Sequence, residues 1–235
     1  MFKQRWKVVY ILQVVILALF ILFSWGCTQK SEPPSLSTPR SVTTQEQVAS
    51  TTNEPVILAL GDSLTAGFGV DEDDSYPALL QRKLTEEGYH YRVVNAGVSG
   101  DTTAGGLRRL DWLLQGQVDI LIVELGANDG LRGLTVDQMR SNLAQIIEKG
   151  KTAGAKIVLA GLQLPPNYGA DYATQFKELF PGLADRYQVA LIPFFLEGVA
   201  AQPHLNLADG IHPNKDGYII IAEHVLEYLK PLLRK

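Results

Sequence analysis

One cysteine, Cys27, is all that this 235-residue chain contains. No disulfide can form within it, so cysteine usage leaves its redox compartment unmarked. No block of like charge interrupts the sequence, and 21 basic against 25 acidic residues give a formal charge of −4. A nucleic-acid footprint is therefore missing. There is no phosphate-cradling Gly-x-x-x-x-Gly-Lys loop and no His/Cys cluster at metal-ligand spacing, so neither metal nor other cofactor is expected. A Gly-x-Ser-x-Gly elbow is also lacking, which argues against an ordinary α/β-hydrolase. Internal repeats are absent as well.

What the N-terminus does hold is a sorting pattern. Lys3, Arg5 and Lys7 precede an apolar run from Val8 to Phe23, broken only by Tyr10 and Gln13. A basic start followed by such a run makes an export signal. Ser24-Trp25-Gly26-Cys27 comes next. The small Gly26 directly before Cys27 resembles a bacterial lipoprotein processing site, although Ser24 stands where such sites usually carry leucine. A plain signal peptide remains open, and so does an uncleaved anchor, for which the run is short of the roughly 20 residues a spanning helix needs. Residues 28–55 are rich in Ser, Thr, Pro, Gln and Glu and poor in large apolar side chains. Such a segment buries too little surface to offset its ordering entropy and is expected to be a disordered polar linker. The expected organisation is thus a signal or membrane anchor over 1–27, a linker over 28–55 and a folded domain over 56–235. An exported protein of the periplasm or cell envelope follows, held at the membrane by its anchor or by lipid on Cys27.

From Val56 onward, short apolar runs alternate with amphipathic stretches. Strands are predicted at Val56–Leu60, Tyr91–Ala96, Ile120–Val123, Ile157–Ala160 and about Ala190–Pro193. Helices are predicted between them: one opened by Ser75 and Pro77 and ended at Gly88, one carrying Leu107 to Leu114, and one behind a Thr135/Gln138 capping box. Two more follow, about Thr174–Tyr187 and Pro213–Leu229. Five alternations predict an α/β fold, a three-layer α/β/α sandwich around a five-stranded parallel sheet. Ligands of such sheets bind beyond the carboxyl ends of the strands.

Four polar features fall at such ends or in the last loop. Ser63, in Gly61-Asp62-Ser63-Leu64, sits on a turn directly after the first strand and reads either as an exposed nucleophile or as part of an ordinary Gly-Ser turn. His212, in Asp209-Gly210-Ile211-His212-Pro213, precedes a proline suited to a helix start. Asp209 could orient its imidazole toward Ser63, or could simply cap that helix. Gly97 and Asn128 each follow a strand and read as oxyanion donors together with the Ser63 N–H, or as plain turn residues. The other histidines, His90, His204 and His224, read as surface or rim residues, and Asp62 as support for the turn.

Gly61-Asp62-Ser63-Leu64, the glycine of Asn95-Ala96-Gly97, Gly126-Ala127-Asn128-Asp129 and Asp209-Gly210-Ile211-His212-Pro213 resemble, in order, the four blocks of the SGNH (GDSL) hydrolases. The resemblance spans residues 56–232. It is closest to the branch of acyl-CoA thioesterase I, lysophospholipase L1 and arylesterase, on Glu124–Gly133 and Pro166-Asn167-Tyr168-Gly169. Ala127 departs from the glycine common there. The resemblance implies Ser63 as nucleophile, His212 as base and Asp209 as its orienting acid, with Ser63, Gly97 and Asn128 forming the oxyanion hole. The expected activity is hydrolysis of a small acyl ester, lysolipid or thioester through an acyl-serine by a monomer. Leu131, Leu134, Leu162 and Tyr168 are candidate walls for the acyl chain. A carbohydrate O-deacetylase and a non-catalytic envelope binding protein are the alternatives on this scaffold.

Overall fold

Strand β1 (Val56–Gly61) is buried along its whole length and pairs in parallel with β2 (Arg92–Gly97) on one side and β3 (Ile120–Glu124) on the other. Such a strand has both faces covered by helices, which is why it reads as a continuous apolar run. The computed structural model describes residues 54–235. The expectations for the signal or anchor over 1–27, for Cys27 and for nearly all of the linker lie outside the described residues. Among the described residues no helix is long and apolar enough to cross a membrane.

β4 (Lys156–Ala160) and β5 (Ala190–Ile192) complete a five-stranded parallel sheet in the order β2-β1-β3-β4-β5. Helix α1 (Ser63–Ala66) follows β1 directly, and α2 (Tyr76–Glu86) leads to β2. α3 (Thr103–Leu113) leads to β3, and α4 (Ala127–Leu131) and α5 (Val136–Thr152) lie between β3 and β4. α6 (Ala170–Tyr187) precedes β5, and α7 (Lys215–Leu229) closes the domain. α2 packs with α7, while α5 packs against both α3 and α6. The three-layer sandwich expected from the alternation is the fold observed. Strand order reverses at β1, so the loops leaving β1, β2 and β3 share the switch-point crevice where such sheets bind ligands.

Local chemistry explains most boundaries. Thr135 caps α5: its hydroxyl accepts from the Gln138 N–H (3.3 Å) and donates to Gln138 Oε1 (3.0 Å). α7 opens at Lys215 rather than at Pro213, because the Asn214 side chain accepts from the Gly217 N–H and forms the cap. α6 starts four residues before the expected Thr174 and runs through Pro181. An interior proline costs a helix about 3 kcal/mol. The buried Phe176, Leu179, Phe180 and Leu183 each recover roughly 1.5–3 kcal/mol, so packing outweighs the break. Both sheet edges are closed against foreign strands. β5 has only three residues, and on β2 the Gln81 amide takes the Val93 N–H (2.7 Å) and donates to the Tyr91 carbonyl (2.9 Å).

Phe180 packs edge-on against Phe176 at 5.5 Å and lies beneath Gly126, at the mouth of β3. Phe180→Ala is expected to lower unfolding free energy by about 3–5 kcal/mol, read as a lower urea midpoint with an unchanged slope.

Candidate active site

β1 ends at Gly61, and the chain turns at once into the four-residue helix α1. Asp62 caps that helix by accepting the Leu64 N–H on Oδ1 (3.0 Å). Ser63 is therefore the first residue of a helix, and its own N–H has no intrahelical partner. Its hydroxyl lies 2.9 Å from His212 Nε2, and His212 Nδ1 lies 2.7 Å from Asp209 Oδ2. The three candidates from opposite ends of the domain thus form one hydrogen-bonded chain.

The loop carrying the histidine is rigid for reasons visible in its bonding. Leu207 and His212 pair through N–H and carbonyl (2.8 Å), as do Asn214 and Leu205 (2.9 Å). The buried Asn206 amide donates to the carbonyls of Val199 and Gln202. Asp209 Oδ1 accepts the backbone N–H groups of Ile211 (2.9 Å) and His212 (3.0 Å). Those two backbone bonds, with the imidazole on the other oxygen, hold the Asp209 carboxyl down at about 2. Asp209 is consequently ionised at neutral pH and accepts a hydrogen bond from Nδ1–H, which leaves the Nε2 lone pair to accept from Ser63. Phe68 packs its ring on the imidazole at 4.5 Å between centroids. The remaining histidines do not join this chain; the His224 Nε2–H donates to the Phe194 carbonyl instead (3.1 Å).

Asn128 lies on α4, after β3, and its amide donates to Asp62 Oδ2 (3.0 Å). One amide hydrogen is spent there, which fixes the plane of the group and leaves the other free. Asp62 therefore does more than support the turn: it aims Asn128. The neighbouring Asp129 is buried and accepts both the N–H and the hydroxyl of Thr103 (2.8 and 2.6 Å), tying α4 to the start of α3.

Gly97 departs from expectation. Its N–H is already donated to Asn95 Oδ1 at 2.9 Å. Its missing side chain has a packing cause, since a Cβ there would stand 2.2 Å from the Ala66 nitrogen of α1. Gly97 lets α1 sit down on β2, and it is not a free donor. Gly100 is the other glycine of that loop, and sequence reading missed it. It lies in the loop between β2 and α3 with φ of +81°, a conformation that favours glycine. No hydrogen bond from its N–H occurs among the described residues, and its carbonyl accepts from Arg132, just beyond α4 (3.0 Å). The motif Gly97-Val98-Ser99-Gly100 offered both glycines, and only the bonding separates them.

Among the candidate walls, Leu131 and Tyr168 are half-buried and joined through the Tyr168 hydroxyl and the Leu131 carbonyl (3.3 Å). Leu134 is exposed. Leu162 is only 3% exposed and belongs to the core, so it does not face the open site. Of the five large apolar residues exposed among the described residues, Phe68 and Leu134 follow the helices of Ser63 and Asn128, and Val98 and Ile211 share the loops of Gly100 and His212; Trp112 is the fifth. Beneath the turn from β1 into α1 lies a second feature with no sequence signal. Glu124 Oε2 accepts the Thr65 hydroxyl (2.8 Å) beside Asp62, and both carboxyls are fully buried. Burial pushes Asp62 up to about 6 despite its bonds from Leu64 and Asn128. Burial and the Asp62 charge push Glu124 well above the carboxylate range.

The model of the GDSL-like lipase/acylhydrolase family matches residues 59–220. Esterase TesA of Pseudomonas aeruginosa is 47% identical over 81% of this chain and 92% of its own. Thioesterase 1/protease 1/lysophospholipase L1 of Escherichia coli K12 is 43% identical over 75% and 84%. Among solved structures, the psychrotrophic esterase EstA of Pseudoalteromonas, inhibited by monoethylphosphonate, is 36% identical with a TM-score of 0.73, over 76% of this chain and 98% of that one.

A carboxyl pair that holds a proton more tightly when folded than when unfolded stabilises the fold at low pH and loses that contribution as pH rises. The Asp62/Glu124 pair should make stability fall from the ordinary carboxylate range through about pH 6 and beyond. Glu124→Gln should flatten that slope, measured by urea unfolding at pH 4.5, 6.0 and 7.5.

Proposed function

The chain belongs to the GDSL-like lipase/acylhydrolase family and is a serine ester hydrolase, and on that premise we propose that Ser63, His212 and Asp209 carry its chemistry on acyl esters with apolar chains or rings. The observation that carries the reading is the continuous chain from Asp209 through His212 to Ser63, at 2.7 and 2.9 Å.

In this mechanism His212 Nε2 removes the Ser63 hydroxyl proton as Oγ attacks the acyl carbonyl. Asp209 holds the imidazole in the accepting tautomer and stabilises the imidazolium that forms. The developing oxyanion is received by the N–H of Ser63, the N–H of Gly100 and the free amide hydrogen of Asn128. Each such donor is worth about 2.7–4 kcal/mol in the transition state. His212 then protonates the departing alcohol or thiol, and a water activated by the same nitrogen releases the carboxylic acid from Ser63. Inhibition of the similar EstA by a phosphonate is what a serine nucleophile of this type would show.

Substrate class follows from the rim. Phe68, Val98, Leu134 and Ile211 leave apolar surface exposed around the site, and apolar patches on a soluble domain mark binding surfaces. An acyl or aryl group laid along them is favoured by about 0.8 kcal/mol per buried methylene, roughly fourfold in affinity. The names of the similar proteins, among them arylesterase and lysophospholipase L1, agree with esters of this kind. Export through the N-terminal basic and apolar segment places the enzyme in the cell envelope. Intact mass of the mature protein tests this, since lipidation would add an acylated glyceride to Cys27.

Ser63→Ala should lower kcat on p-nitrophenyl esters by about 10⁴-fold or more and abolish labelling by a fluorophosphonate probe. Labelling that persists in this variant would remove Ser63 from the role. Across acetyl to palmitoyl esters, kcat/KM should climb with chain length, and Phe68→Ala should flatten the climb. A profile already flat in the wild type, or one favouring acetylated sugars, would overturn the apolar-chain reading.

A further inference from the structure

Arg109, on the inner side of α3, is absorbed by neither the triad nor the oxyanion donors, yet it spends its guanidinium on the backbone that carries them. Its Nη2 donates to the Gly61 carbonyl (3.0 Å) and its Nη1 to the Ala96 carbonyl (2.7 Å). Its Nε donates to Asp101 Oδ2 (2.8 Å). Gly61 lies two residues before Ser63, and Asp101 directly follows Gly100. The pair is largely shielded, with side chains 22% and 11% exposed. The Gly61 carbonyl also accepts the Val98 N–H (3.0 Å), and the Asp101 N–H is donated to the Val98 carbonyl (3.0 Å). The ends of β1 and β2 and the loop beyond them thus converge on one cation.

We propose that Arg109 is the positioning residue of the oxyanion hole, setting the separation between the Ser63 and Gly100 N–H groups by clamping Gly61 and Asp101 together. The inference rests on the reading of Ser63 and Gly100 as oxyanion donors. Arginine suits the task for a geometric reason: its planar fork presents donors in fixed directions, whereas lysine offers a single flexible point charge. Space for the clamp is cleared by Gly105, where a Cβ would stand 1.6 Å from Asp101 Oδ1. Without the clamp, the two donors ride on separate chain segments. A shift of about 1 Å in such an element costs roughly 10²-fold in rate.

The test compares wild type with Arg109→Ala, Arg109→Lys and Asp101→Asn on p-nitrophenyl butyrate. Arg109→Ala should lower kcat by about 10²-fold with KM within about twofold. The Ki of a boronic acid, whose tetrahedral adduct needs the same donors, should rise by a matching factor. Millimolar methylguanidinium should restore part of kcat in Arg109→Ala, and Arg109→Lys should stay low because it lacks the fork. Asp101→Asn keeps the bonds to both carbonyls, so it should lose less than the alanine variant. Should Arg109→Ala fail to fold, Arg109→Lys and Asp101→Asn decide by the same kcat and Ki readouts. An unchanged kcat and boronate Ki in the folded variants would overturn the clamp, as would losses confined to KM. Ser63→Ala separates the two levels: if it remains active, the reading of the site fails. If it is dead while the Arg109 variants are normal, only the clamp fails.

Discussion

Asp62 and Glu124 lie together under the turn that carries Ser63, fully buried, and no basic side chain among the described residues forms an ion pair with either. Two charges there would repel at short range in a medium of low polarity, so the pair retains a proton to pH values where exposed carboxyls have lost theirs. The remaining negative charge has specific tasks. On Asp62 it orders the first turn of α1 through Leu64 and aligns the Asn128 amide. The Thr65 hydroxyl on Glu124 ties α1 to the end of β3. Ser63 and Asn128, on α1 and α4, are thereby held to a common point. The burial penalty is the energetic cost of that registration, and the apolar core around the sheet offsets it.

The loop that carries Asp209 and His212 is built on a contrasting principle. Asp209 is exposed enough to stay solvated, and backbone N–H groups rather than a cation keep it ionised. One carboxylate is thus raised by burial and another lowered by backbone donors, within one site. The same residue type supports a structural bond in the first case and a polarising one in the second. Environment, not identity, separates the roles.

How much of this was legible in sequence depends on the range of each interaction. Strands and helices were readable because their signal is local: β1 and β3 are unbroken apolar runs, and α5 repeats its apolar residues at helical spacing. Ser63, Asp209 and His212 were readable because each sits in a short motif after or before a regular element. Gly97 and Gly100 were not separable, because they differ only in partners contributed by Asn95, Ala66 and Arg132. The early start of α6 was hidden by Pro181, whose local cost is overridden by packing against the sheet. Leu162 read as a loop residue, yet it turns inward. Arg109 and Glu124 carry no local signal at all, since the groups they serve lie 48 and 59 residues away along the chain.

The bond between His212 and Ser63 joins residues 149 positions apart. Ser63 is translated early in the domain, and its base arrives only with the loop before the last helix. Until α7 has packed against α2, Ser63 has no imidazole beside it. The hydrogen-bonded chain from Asp209 to Ser63 is therefore a property of the finished fold alone. A chain still being made holds a serine and a histidine that have not yet met.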